Sequence, residues 1–261
     1  MSIVSTGFHL CLILIALVVW KFIFFPANSL LPSYKCLAMC LALMFTCGCA
    51  VYLVLVKWSA PSVREDASEI TFYLIFSIIW IAFTQGLFAF LGVSIRDDVA
   101  ERRNVAAGFT VASLTIAATC CAAGSNIGDG PGFEAVLFCA VLSTAGLLVL
   151  WAVVAQFSGI ADAITIDRNV AAGIRTAGWL AGTGVVLGAC VAGDWISYKT
   201  TLRDFARFGW PVAIIALLFA MMERAIGLRA KSVASKLATS LAAAVSMAVA
   251  GAIYALWVGR H

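Results

Sequence analysis

One six-residue segment occurs twice in this chain, and the spacing of its copies constrains the architecture. Arg-Asn-Val-Ala-Ala-Gly stands at 103–108 and again at 168–173, a shift of 65 residues (168 − 103). At the same shift Gly128-Asp129 falls on Gly193-Asp194, and the sequence holds no other Gly-Asp pair. Self-similarity at a fixed spacing indicates a duplicated structural unit. We therefore expect the two copies to fold alike.

Composition places this unit in a membrane. Hydrophobic residues make up 63% of the 261 positions, charged residues make up 11%, and the mean hydropathy is +1.04. One soluble core cannot bury that much apolar surface, whereas a bilayer accepts it, and a spanning helix needs about 20 apolar residues. The sequence predicts an all-α polytopic membrane protein, one membrane domain over 1–261, with eight spans at about 8–25, 36–57, 70–93, 104–125, 133–157, 169–192, 205–222 and 233–258.

Two consecutive spans make one repeat. The clear copies cover about 70–132 and 133–195, and each has an apolar helix, a short charged loop and a helix opened by Asn-Val-Ala-Ala. Degenerate copies are expected over 1–69 and 196–261, where Ser-Val-Ala-Ser at 232–235 opens the eighth span at a shift of 63 (232 − 169). A unit of two spans returns the chain to the same side, so the repeats are parallel.

The distribution of Lys and Arg predicts the orientation. Ten of the 17 basic residues lie in loops after odd-numbered spans, six lie in the other loops and at the C-terminus, and Lys199, Arg203 and Arg207 oppose the bias. Loops rich in Lys and Arg stay in the cytoplasm, so both termini are predicted outside. The net charge of +4 suits contact with anionic lipid, and no motif for nucleic acid is present.

The repeated motif resembles a known family. Asn-x-Ala-Ala opening a helix of small residues, twice, with an Asp some two dozen residues further on, resembles the bacterial inner-membrane proteins of the domain-of-unknown-function 350 (YjfL-like) family, in their extended eight-helix form. The resemblance is best over 70–195. It implies a multi-pass protein of the bacterial cytoplasmic membrane and implies no reaction.

The two Asn and two Asp residues at the ends of the repeated helices are the first candidate site residues. Asn104 and Asn169 stand where helices begin, so they cap free backbone N–H groups or, with the neighbouring Arg, hold an anion there. Asp129 and Asp194 close the same helices, either as polar turns or as paired carboxylates that bind a cation at an external mouth. We favour capping for the Asn residues.

Arg175 and Gln85 lie within predicted spans, and Glu223 lies at the end of another. Arg175 either extends to the cytoplasmic surface or pairs with Glu223, which is expected at the same depth. Gln85 lies near the middle of the third span and either bonds a neighbouring helix or lines a path.

Gly178-xxx-Gly182 and Gly184-xxx-Gly188 predict close helix packing, with the fourth and sixth spans as a central pair. The same glycine-rich faces suit a homodimer.

No cofactor, metal or enzymatic activity is expected. Cys36, Cys40, Met44 and Cys47 share one helix face and could in principle hold Cu(I), but apolar packing explains them equally. His9 and His261 stand at opposite ends of the chain, which excludes a bis-His haem site within the membrane. No nucleophile–base pair or nucleotide-binding loop stands at a recognisable spacing.

Two functions are compatible with this pattern. The first is a transporter or channel for a small ion or solute, with the fourth and sixth spans lining the path. The alternative is a non-catalytic membrane scaffold or stress-response component that docks a cytoplasmic partner through the charged loops 96–103 and 224–236. A path requires the four Asn and Asp residues to face one interior, whereas a scaffold does not.

Overall fold

The computed structural model describes residues 34–228 and 235–259, together with the isolated positions 14 and 18. The described part of the chain consists of helices joined by short turns and loops and contains no strand. Besides a π-helix at Ile95–Glu101, its helices are α1 Tyr34–Trp58, α2 Pro61–Arg64, α3 Ala67–Phe90, α4 Val105–Gly124, α5 Phe133–Ser158, α6 Ile160–Thr165, α7 Val170–Ala189, α8 Tyr198–Leu228 and α9 Ser235–Val258.

Six of these helices are long and apolar enough to cross a membrane, namely α3, α4, α5, α7, α8 and α9. α1 adds 25 further residues of apolar helix. The prediction of an all-α polytopic membrane protein is therefore confirmed at this level. The predicted first span at 8–25 lies outside the described residues, as do His9, His261, Arg229 and Lys231.

The seventh predicted span was wrong in its length. α8 begins at Tyr198, seven residues before the predicted start at 205, and runs for 31 residues. Lys199, Arg203 and Arg207 therefore lie within a helix, not in a loop. Pro211 stands inside α8, where it removes one backbone donor, and the Tyr254 hydroxyl of α9 donates to the nearby carbonyl of Phe208 at 2.9 Å. That bond ties α9 to α8 beside the proline.

The long helices alternate in direction between two ends of the bundle. We name these the Asn end, which holds Asn104 and Asn169, and the Asp end, which holds Asp129 and Asp194. α1 finishes at the Asp end, because the N–H of Gly128 donates to the carbonyl of Trp58 at 2.9 Å. α3 returns toward the Asn end, and α4 runs back to the Asp end.

α7 is the centre of the bundle because glycines lie on two of its faces. A Cβ added at Gly184 or Gly188 would overlap backbone atoms of α4, and a Cβ added at Gly178 or Gly182 would overlap backbone atoms of α9. Small residues at these positions let helix backbones approach closely in lipid. The expected close packing of α4 on α7 is present, and α9 packs on the opposite glycine pair in the same way.

Loops at the Asn end fold back into the bundle. Ser94 caps the π-helix by accepting from the N–H of Asp97, and Ile95 of that helix is buried. Val99 packs against Gly108 of α4. The loop between α3 and α4 is thus anchored on the bundle by its apolar side, while the charged residues Asp97, Glu101, Arg102 and Arg103 remain exposed.

Candidate functional site

The two loops that carry the repeated motif adopt the same backbone conformation. Arg103 and Arg168 both have positive φ, at 51° and 52°, which non-glycine residues rarely adopt. The N–H of Asn104 donates to the carbonyl of Asp98 at 2.9 Å, and the N–H of Asn169 donates to the carbonyl of Ala163 at 2.9 Å. The acceptors, like the donors, stand 65 residues apart (163 − 98). In each loop, this backbone hydrogen bond joins the Asn residue to a residue six positions earlier, just before the helix begins.

The two Asn side chains differ in environment although both cap a helix. The Asn104 Oδ1 accepts from the N–H groups of Ala106 and Ala107, and its Nδ2 donates to the carbonyl of Ile164 at 2.7 Å. Asn104 is 2% exposed, so this amide joins the two repeated loops inside the bundle. The Asn169 Oδ1 accepts from the N–H of Ala172 at 3.2 Å, and Asn169 is exposed.

The two Asp residues meet at the Asp end. The N–H of Asp129 donates to Asp194 Oδ1 at 2.8 Å, while Asp129 Oδ1 accepts from the N–H of Gly130 at 2.9 Å. The backbones are also joined, because the N–H of Trp195 donates to the carbonyl of Asp129 at 2.7 Å. Both carboxylates are exposed to solvent. They form a shared turn, with oxygens left free to accept from other donors.

The four Asn and Asp residues do not face one interior. A 20-residue helix separates each Asn from the Asp that follows it, which is about 30 Å of rise. The space between α4 and α7 is filled by backbone contact, since Gly173, Gly184 and Gly188 lie against Ala106, Ala117 and Cys120. A path between these two helices, as the sequence suggested, has no room in this structure.

Arg175 forms an ion pair with Glu223, which was one of its two predicted environments. Its Nη2 donates to Glu223 Oε2 at 2.6 Å, and its Nε donates to Oε1 of the same carboxylate. Its Nη1 donates to the Ser240 hydroxyl at 2.7 Å. Arg175 is 5% exposed and Glu223 is 4% exposed. The guanidinium thus joins α7, α8 and α9, and its five donors are largely occupied.

Gln85 bonds the neighbouring helix α4. Its Nε2 donates to the Thr115 hydroxyl and, at 3.4 Å, to the carbonyl of Val111. The Thr115 hydroxyl donates in turn to the carbonyl of Val111 at 2.9 Å. All of these groups are buried. Interhelical bonding, one of the two alternatives for Gln85, is therefore present.

Gln85 belongs to a longer run of buried polar groups that sequence reasoning missed. We call this run the polar seam and define it as Ser77 and Gln85 of α3, Thr115 and Thr119 of α4, and Asn126 in the turn that follows α4. The Asn126 Nδ2 donates to the Ser77 hydroxyl at 3.2 Å, and the Thr119 hydroxyl donates to the carbonyl of Thr115 at 2.7 Å. The seam consists of two hydrogen-bonded groups, Ser77 with Asn126 and Gln85 with Thr115 and Thr119, spread over roughly 20 Å of helix rise. Ile81 and Ala122 of an apolar cluster lie between these levels.

The seam was visible as a pattern in the sequence. Thr115, Thr119 and Asn126 stand at i, i+4 and i+11, which places them on one helix face. The positions 65 residues after Thr115 and Asn126 are Leu180 and Val191, so the stripe is absent there. The seam thus lies along α4, and the Arg175 ion pair belongs to α7.

A cavity opens where the seam reaches the Asp end. This Asp-end cavity has a volume of about 430 Å³, and Asn126 of the seam lies in its wall. The other lining residues that carry polar or aromatic side chains include Asp66, Glu69, Tyr73, Asp129 and Trp195. Toward the Asn end the seam is closed, because Val111 is buried in the main apolar cluster and Val99 packs beside Gly108. The seam therefore opens at one end only.

Metal ligands do not converge among residues 34–228 and 235–259, where no group of three or more His, Cys, Asp or Glu side chains could hold an ion. Cys47 is buried in an apolar cluster with Val51 and Leu55. The side chains of Cys36, Cys40 and Met44 lie outside the described residues.

The fold and its long apolar helices define an all-α, multi-pass membrane protein. Comparison of the chain with protein-family models, with curated proteins and with solved structures gives no match.

Proposed function

We propose that the chain is a membrane transport protein, a channel or carrier for a small polar solute or ion. The observation that carries this proposal is the polar seam, a buried run of hydrogen-bonding groups that begins in an open cavity and enters the bundle. Polar groups are costly in contact with lipid, so those within membrane spans face the bundle interior and commonly lie along substrate pathways. Because the seam is closed toward the Asn end, this conformation is open at the Asp end only.

The finer architecture belongs to the same proposal. Eight spans in four tandem two-helix repeats account for the equal loops around Arg103 and Arg168 and for the parallel packing of α4, α7 and α9. The excess of Lys and Arg in the loops that follow odd-numbered spans favours an orientation with the Asp end outside a bacterial cytoplasmic membrane. Kinship with the domain-of-unknown-function 350 family rests on the repeated Asn-x-Ala-Ala motif. A homodimer is part of the proposal, but its interface lies elsewhere than at Gly178, Gly182, Gly184 and Gly188, which pack on α4 and α9 within one chain.

Flux measurements test the transport function. Purified protein in proteoliposomes should carry Na⁺, K⁺, H⁺, Cl⁻ or an organic cation above the rate of empty liposomes. Gln85→Leu and Thr115→Val should lower that flux at least about tenfold, because each removes hydrogen-bonding groups from the seam. Thr46→Val is the matched control, since Thr46 is an exposed threonine of α1 outside the seam.

One result would contradict transport, and a second would contradict the path along the seam. Flux at the level of empty liposomes for every solute, from protein that is folded and correctly inserted, would favour the scaffold alternative with a cytoplasmic partner. Flux that the seam variants leave unchanged would keep a transport function but move its path elsewhere in the bundle.

A further inference from the structure

The Asp-end cavity carries acidic groups and lacks basic ones. Asp66, Glu69 and Asp129 line it, and no Lys, Arg or His stands among its lining residues in the described chain. None of the three carboxylates forms an ion pair with another described residue. Asp66 Oδ1 accepts from the N–H of Ser68 at 2.7 Å, which leaves its second oxygen open. The cavity thus concentrates negative charge without an internal counterion.

Two buried residues of the wall each have one polar atom without a partner among the described residues. Tyr73 is 5% exposed, and its hydroxyl makes no hydrogen bond to any residue that the structure describes. Asn126 is 5% exposed, and its Nδ2 donates to Ser77 and to the carbonyl of Ala122, while no described group donates to its Oδ1. Neither atom is among the fully enclosed unpartnered atoms of the described residues, so both are accessible from the cavity, where a ligand can bond them.

The chemistry of the wall selects among cations. The carboxylates are spread around about 430 Å³ and form no three-ligand metal group within the described chain, so the space suits an organic ion better than a dehydrated metal ion. The rings of Tyr73 and Trp195 offer faces that attract a cation. Carboxylate oxygens and the Asn126 Oδ1 are acceptors, which favours a cation that carries N–H donors.

We propose that the Asp-end cavity binds a small primary ammonium compound. The ammonium group donates to acceptors of the wall, drawn from the carboxylates of Glu69 and Asp129, Asn126 Oδ1 and the Tyr73 hydroxyl. Its alkyl portion lies against Trp195. This inference rests on the proposed transport function, for which it names the substrate class. It assigns the cavity as the outward-facing binding site from which the polar seam continues into the bundle.

Calorimetric titration of the full chain in detergent micelles tests this site without any flux measurement. The probes are n-propylammonium, tetramethylammonium, Na⁺, Ca²⁺ and acetate, each as a simple salt. Propylammonium should bind saturably, tetramethylammonium should bind at least about fivefold more weakly because it has no N–H donor, and acetate should not bind. Tighter binding of Ca²⁺ or Na⁺ than of propylammonium would overturn the proposal in favour of a metal site.

Variants locate the site. Glu69→Gln with Asp129→Asn should weaken propylammonium binding at least about tenfold, and Tyr73→Phe about threefold, with unchanged melting temperatures. Glu134→Gln is the control, since Glu134 is an exposed carboxylate of the same end that does not line the cavity. Equal affinity in all variants, or no saturable binding, would refute the site. Binding without flux would refute transport alone.

Discussion

Arg175 of α7 and Glu223 of α8 face each other inside the bundle through two parallel hydrogen bonds, and both side chains are almost fully buried. Their burial explains why the pair is needed. A lone charge at that depth in a bilayer is costly. The two hydrogen bonds between the guanidinium and the carboxylate replace hydrogen bonds that both groups would make to water. The third contact, to Ser240, extends the connection to α9.

Removal of one member of this pair should destabilise the protein strongly. Glu223→Gln or Arg175→Met alone should lower the free energy of unfolding by about 3–5 kcal/mol, because each leaves a buried group unpaired. The double variant Arg175→Met with Glu223→Leu should recover most of that loss. Thermal unfolding in detergent measures both effects. Arg203→Met, at an exposed position of α8, should change stability by less than about 0.5 kcal/mol. Additive single and double effects would contradict the pairing.

Close packing of α7 predicts opposite effects for glycines on two helices. Gly178→Ala should destabilise the fold by about 3 kcal/mol, because its Cβ would overlap backbone atoms of Ala244. Gly209→Ala in α8 should stabilise it by up to about 1 kcal/mol, since no atom lies within 4 Å and alanine favours the helix. Unfolding by denaturant in mixed micelles measures both variants. A similar loss at both positions would show that α9 does not pack on α7 as described.

The two repeated Asn residues should differ in their contribution to stability. Asn169→Ala removes an exposed helix cap and should cost about 1 kcal/mol. Asn104→Ala should cost about 2–3 kcal/mol, because it also leaves the buried carbonyl of Ile164 without its donor. The same unfolding experiment compares them directly. Equal losses would mean that the bond between the two loops contributes nothing.

The positive φ at Arg103 and Arg168 is a source of backbone strain that glycine would relieve. Arg103→Gly and Arg168→Gly should each stabilise the protein by about 1 kcal/mol, since only glycine adopts this region without cost. Arg168→Lys keeps both the charge and the Cβ, so its melting temperature should remain that of the parent chain. A loss of stability in the glycine variants would show that the exposed guanidinium groups themselves contribute to folding.

Orientation can be tested by chemical labelling of the two ends. A cysteine at Asp129 should react with a membrane-impermeant thiol reagent in intact cells, whereas a cysteine at Arg168 should react only after permeabilisation. The parent chain, with its own nine cysteines, provides the background. Labelling in the reverse pattern would invert the proposed topology, and the Asp-end cavity would then face the cytoplasm.

The observed helix bounds agree with the hydropathy of the sequence for some helices and differ from it for others. Hydropathy located the long helices to within a few residues where loops are polar, as at α4 and α7. It placed the start of the seventh span seven residues late, because Lys199, Arg203 and Arg207 lower the local hydropathy although the backbone remains helical. The packing of α9 on Gly178 and Gly182 was also missed, since periodicity shows that a face is small but not which helix covers it.

The sequence by itself determined the membrane class, the apolar helices, the repeated loop and the small-residue faces, because each depends on residues near one another in the chain. Tertiary structure alone decided the partners. The bond of Gln85 to Thr115 spans 30 positions and that of Arg175 to Glu223 spans 48. Such contacts depend on the relative rotation and depth of packed helices, which local pattern does not specify. The Asp-end cavity, formed by residues from 55 to 195, exists only at that level.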